Sequence, residues 1–106
     1  IHICGNISAI LPRVISTGAD IIDIDHRTGP VTEVLGLLQP GQVFSGKSDP
    51  VSVLQDGDTA SIRSSCRSFF DEAGGRAILS AGCEVTPGTP VENLRFFSGM
   101  AGELLP

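Results

Sequence analysis

Short apolar runs and amphipathic stretches alternate along this chain, and the alternation repeats four times. Ile1–Cys4 is an apolar run broken at Gly5-Asn6, and Ser8–Thr17 follows it. Within that stretch Ile10, Leu11, Val14 and Ile15 fall at i, i+1, i+4 and i+5, one stripe of a helix, and Gly18 is placed to end it. Asp20–Asp25 (DIIDID) is short and β-branched, which predicts a strand. Val31–Leu38 predicts a second helix, stopped by Gln39-Pro40-Gly41.

Gln42–Ser45 predicts the third strand, ending before Gly46. Pro50 suits a first helical position with Asp49 or Ser48 as cap, so a short helix is expected at Val51–Leu54. A long helix is expected from about Thr59 to Ala73, capped by Asp58 or Thr59 and stopped by Gly74-Gly75. Ile62, Cys66, Phe69, Phe70 and Ala73 form its buried stripe. The fourth unit is a strand Arg76–Ala81, a loop Gly82–Thr89 and a helix Pro90–Leu105 with Thr89 as N-cap.

Repeated β-α units imply an α/β fold with parallel strands and right-handed crossovers. A Gly-x-Gly-x-x-Gly turn is absent, which argues against a dinucleotide-binding sheet. Four consecutive βα units are half of a TIM-type (β/α)8 barrel, which takes about 250 residues. Residues 1–106 are therefore read as a single segment: either part of a longer barrel, or a half barrel that pairs with its own copy. Ile21–Ile24 and Ala77–Leu79 are apolar on both faces, so a homo-oligomer is expected if this is the whole chain. The start at Ile1, directly on a strand, suggests a fragment or a processed product.

Composition narrows the function. Hydrophobic residues make up 41% and charged residues 18%, as in folded globular chains. The net charge of −5 and scattered basic residues disfavour nucleic acid or an anionic membrane as partner. No run approaches the roughly 18 apolar residues of a membrane span. Three cysteines cannot all pair, which suggests a reducing, cytoplasmic compartment with thiols free for a metal.

In a barrel of this kind, functional groups sit at the carboxyl ends of the strands. Those ends carry His2 and Cys4, then Asp25 and His26, then Gly46–Asp49, then Cys83-Glu84. His-x-Cys puts two ligands on one face of a strand, and Cys83 arrives from another strand end. Zinc accepts this mix of imidazole and thiolate and keeps a fourth position open in catalytic sites. The spacing alone is short and common, and leaves buried or incidental thiols as the other reading.

The string His2-Ile3-Cys4-Gly5-Asn6, then Thr17-Gly18-Ala19-Asp20-Ile21 and Ile24-Asp25, resembles the methylcobalamin:thiol methyltransferases of the uroporphyrinogen decarboxylase superfamily. So do Gly46-Lys47-Ser48-Asp49-Pro50, where that family usually has Gly-Asn-x-Asp-Pro, and Leu79-Ser80-Ala81-Gly82-Cys83-Glu84-Val85 with Pro87, Thr89-Pro90 and Glu92-Asn93-Leu94. The resemblance implies the carboxyl-terminal half of the barrel, and zinc held by His2, Cys4 and Cys83. It implies methyl transfer from methylcobalamin on a partner corrinoid protein to a small-molecule thiol, coenzyme M being one possibility, or to another acceptor such as tetrahydrofolate. Zinc would deprotonate the acceptor thiol while leaving its sulfur nucleophilic. The superfamily's decarboxylases have no His-x-Cys at the first position and a Gly-His-Gly setting where this chain has Gly82-Cys83-Glu84.

Two other functions stay open: a cofactor-free decarboxylase of the uroporphyrinogen type, and a non-catalytic half barrel that self-associates. Asp25 is a candidate catalytic residue that orients a metal ligand, or else a solvated carboxylate or helix cap. Asp20 and Asp23 alternate with apolar residues and are expected to cap or face solvent. Glu84 and His26 are candidate extra ligands, or exposed side chains; Cys66 is expected in the core. Gly5 and Gly82 are expected to allow positive φ or a close backbone approach beside the site.

Overall fold

Parallel strands need a crossover each time the chain returns to the sheet, and here every crossover is helical. The computed structural model describes residues 1–104. Strands β1 (His2–Ile3), β2 (Ile21–Ile24), β3 (Val43–Ser48) and β4 (Ala77–Ala81) form one parallel sheet in sequence order. Between and after them run helices α1 (Leu11–Ile15), α2 (Val31–Leu37), α3 (Thr59–Ala73) and α4 (Val91–Leu104). A π-helical turn, Pro50–Gln55, precedes α3. The expected α/β fold of four βα units with parallel strands is present.

Alternation along each strand sorts the residues onto two faces. Ile22, Ile24 and Phe44 are fully buried under Leu11, Val14 and Ile15 of α1, Val31 and Val34 of α2, and Phe69 and Ala73 of α3. Phe44 and Phe69 meet edge to face with ring centroids 5.4 Å apart. A second cluster joins Ile62 and Cys66 of α3 to Met100 of α4. On the other face Ile21 and Ile78 are 44% and 43% exposed, so the sheet is covered by helices on one side.

Most boundaries fall within a residue or two of expectation, and three departures have physical causes. The first helix keeps only Leu11–Ile15 of the expected Ser8–Thr17, because the Ile10 amide bonds Ile7 in a tighter turn. The third strand runs through Gly46 to Ser48 and pairs with β4, so glycine there does not break it. Lys47 takes a left-handed φ of 73°, and its ammonium donates to the carbonyls of His26, Thr28 and Gly29 at 3.0, 2.5 and 2.7 Å. A non-glycine residue rarely takes this conformation, and the three carbonyls that hold the ammonium fix it here.

The expected short helix is wider than an α-turn. Asp49 caps it by accepting from Val51 and Ser52, and the Leu54 and Asp56 amides reach back to Asp49 and Val51. Asp58 caps α3 through a reciprocal box with Ser61. The last helix begins at Val91, one residue after Pro90, and Leu105 lies outside the described residues.

Candidate metal centre

In a flat sheet the outer two of four strands stand about 14 Å apart, three spacings of roughly 4.8 Å. Here side chains from the first and last strand ends touch, so the sheet curls about its uncovered face. His2 Nε2 lies 3.0 Å from Cys4 Sγ, and Cys4 Sγ lies 2.6 Å from Cys83 Sγ. The three ligand atoms fall within 4.8 Å of one another, the only such group of three or more His, Cys, Asp or Glu among the described residues. His2 and Cys4 are exposed and Cys83 is half-buried, so the group opens to solvent.

The loops that present the cysteines are tied to their neighbours. Gly5 turns the chain after Cys4 at φ 83°, a conformation that disfavours any side chain. Its amide donates to Asp25 Oδ2 at 2.8 Å, and its carbonyl accepts from Thr28 Oγ1 at 3.2 Å. Thr28 Oγ1 also accepts from the Ile7 amide. On the other side the Gly82 amide donates to the Ser48 carbonyl at 2.8 Å. A Cβ on Gly82 would stand 2.6 Å from the His26 nitrogen, so only glycine lets β4 pass so close.

The structure distributes the sequence candidates unevenly. Asp25 is fully buried, not solvated, and its contacts run to Gly5 and to the backbone amide, Nε and NH2 nitrogens of Arg27. Burial opposes its ionisation, but the hydrogen bonds from Arg27 and Gly5 outweigh it and hold the carboxyl well below the usual carboxylate range. His26 places Nδ1 3.0 Å from Asp25 and Nε2 3.4 Å from Asp49, with Nδ1 buried and not aligned for a hydrogen bond. Neither His26 nor the exposed Glu84 joins the His2–Cys4–Cys83 group.

Cys66 is buried on α3, where burial pushes its thiol up to about 11. The hydrogen bond with the Cys83 thiol is the main reason the Cys4 thiol is raised, with slight desolvation by its neighbours adding to it.

Asp23 departs from expectation. It neither caps a helix nor points freely to solvent: its Oδ2 lies 2.7 Å from His2 Nδ1. Its Oδ1 accepts from Ser80 Oγ at 3.2 Å, and Ser80 Oγ lies 2.8 Å from Ser45 Oγ. The signal was available, since β2 in parallel register with β1 pairs Asp23 with His2. Asp23 also alternates with Ile22 and Ile24, which must face the helices.

Known proteins resemble the chain along nearly its whole length. The uroporphyrinogen decarboxylase (URO-D) family profile matches residues 1–104. A uroporphyrinogen decarboxylase of Gloeobacter violaceus is 32% identical over 100 residues, 93% of this chain and 28% of that one. The methylcobamide:CoM methyltransferase MtbA of Methanosarcina mazei is 30% identical over 95 residues, 90% of this chain and 27% of that one. A solved methyltransferase from Methanosarcina mazei superposes with a TM-score of 0.85 at 22% identity, covering 96% of this chain and 30% of that chain. That likeness is one of fold. The chain thus spans little more than a quarter of the length of these curated relatives.

Proposed function

This chain belongs to the uroporphyrinogen decarboxylase family, and from that membership we propose that it carries the zinc-thiolate centre of a corrinoid-linked methyltransferase. The observation that supports this most is the convergence of His2 Nε2, Cys4 Sγ and Cys83 Sγ from opposite ends of the sheet. Two thiols and one imidazole nitrogen, open to solvent on one side, fit zinc with a fourth position left for a ligand. Bound there, zinc would hold an acceptor thiol as its nucleophilic thiolate at neutral pH.

The chain's own residues do the rest. Cys4 and Cys83 would hold the ion as thiolates, their protons released to solvent, and a neutral His2 would complete a set whose charge offsets that of the ion. A third thiolate, from substrate, would make such a centre anionic and its sulfur electron-rich. Gly5, Asp25 and Thr28 hold the turn that presents Cys4, so the candidate role of Asp25 is positioning and not proton transfer. The methyl donor is methylcobalamin on a partner corrinoid protein, and the acceptor is a small-molecule thiol or a similar nucleophile. Three free thiols suit a reducing cytoplasm, and among the described residues no helix is long and apolar enough to cross a membrane.

The similarity to decarboxylases favours a second reading, cofactor-free decarboxylation of a tetrapyrrole acid. Elemental analysis, followed by methylcobalamin-to-thiol transfer assayed on a chain of the relatives' length that carries this segment, separates the two. Zinc near one equivalent, with transfer lost on Cys83→Ala, is expected. Metal-free protein that releases CO2 from a porphyrinogen would replace this proposal with the second.

A further inference from the structure

We propose that Asp23 is the positioning carboxylate of His2, fixing the imidazole so that its Nε2 lone pair faces the two cysteines. The inference rests on the metal-centre reading above and adds to it a residue outside the ligand set. His2 and Asp23 are register partners on adjacent parallel strands, with both side chains on the uncovered face. The 2.7 Å contact uses Nδ1, the ring nitrogen turned away from the cysteines, while Nε2 is the one 3.0 Å from Cys4 Sγ. A carboxylate only accepts hydrogen bonds, so it selects the tautomer with hydrogen on Nδ1 and leaves Nε2 bare.

Asp23 is itself held. Ser80 donates to its other oxygen at 3.2 Å, and Ser45 braces Ser80 at 2.8 Å. Thus β1, β2, β3 and β4 each supply one member of a polar chain, His2, Asp23, Ser45 and Ser80, that crosses the curled face. The other nearby carboxylate, Asp25, is spent on Gly5 and Arg27 and does not reach His2. Asp20 lies just before β2 and is exposed, which makes it the matched control.

The test measures zinc affinity by chelator competition, and the His2 tautomer by ring 15N chemical shifts of the metal-free protein at mildly alkaline pH. Asp23→Asn keeps the shape but can offer an amide N–H to Nδ1. It is expected to weaken zinc binding about 10–100-fold, the usual cost of losing such a partner. Asp23→Glu is expected to recover part of that loss, and Asp20→Asn to change nothing. In the metal-free wild type the Nδ1–H tautomer is expected to dominate, and in Asp23→Asn to give way to a mixture. Circular dichroism of each variant checks that the fold is kept.

Zinc bound equally well by wild type and Asp23→Asn, with the tautomer unchanged, would overturn the inference. Wild type that binds no zinc would instead remove the metal-centre reading. The tautomer shift then still decides the role of Asp23: its presence supports the pairing, and its absence rejects it.

Discussion

The two faces of one four-stranded sheet divide the work of this molecule. Toward the helices, Ile22, Ile24 and Phe44 are wholly buried in an apolar cluster. Toward the uncovered side, His2, Asp23, Ser45 and Ser80 form a hydrogen-bonded chain that ends at two cysteine thiols. Neighbouring residues of DIIDID serve both: Ile22 and Ile24 go to the core, and Asp23 between them goes to the site. The period of two along a strand lets stability and chemistry be altered almost independently, one residue apart.

That division is open to breakage from either face. On the uncovered face, Cys4→Ala or Cys83→Ala is expected to abolish stoichiometric zinc, because two remaining ligands leave the ion under-coordinated. Metal analysis after dialysis checks it; full retention in both variants would remove the centre. Across the sheet, Phe44→Ala is expected to cost about 3–5 kcal/mol in urea unfolding. Ser45→Ala, the next residue but on the other face, is expected to cost about 1 kcal/mol at most. Similar losses at both positions would mean the faces are not distinct.

Asp25 sharpens the comparison through acid. Its folded-state pKa is depressed below the unfolded value of roughly 3.9, so the stability it contributes is fully present above that value and is lost as pH falls below it. The urea midpoint is expected to drop below about pH 4, and less steeply in Asp25→Asn. Equal acid profiles would show that the buried carboxylate is not the group responsible. A smaller effect is expected from Cys66→Ala: unchanged zinc and about 1 kcal/mol of lost stability, the scale of deleting one buried heavy atom. The exposed Ile21 and Ile78 lead us to expect weak self-association of the 106-residue chain. Ile21→Ser should shift sedimentation toward monomer, with only a small change in unfolding.

The order of elements was readable because each helix carries its own stripe and each strand its own stops. Ile62, Cys66, Phe69 and Ala73 are buried on α3 as their spacing requires, while Phe70, expected in the same stripe, is only half-buried. The three expected ligands also come together in space, although spacing alone could not show how far the sheet curls. What escaped was pairwise. Asp23 reads as a solvent residue until β2 is set beside β1 in register, and Asp25 reads as solvated until Arg27 folds back onto it. The continuation of β3 through Gly46 and Lys47 depends on a lysine clamped by three carbonyls of another loop, which no local propensity encodes.

The strand that contributes most to the centre is also the shortest. β1 holds two residues, His2 and Ile3, at the edge of the sheet, yet His2 and the adjoining Cys4 are two of the three converging groups. Edge segments with few ladder bonds open sub-globally, without the core unfolding. Amide hydrogen exchange should therefore be fastest around β1 and much slower at Ile22 and Phe44. In the 106-residue chain, an ion held between Cys4 and Cys83 would be retained or released with the fraying of this one short segment, its residence time following that local opening and not the melting of the whole sheet.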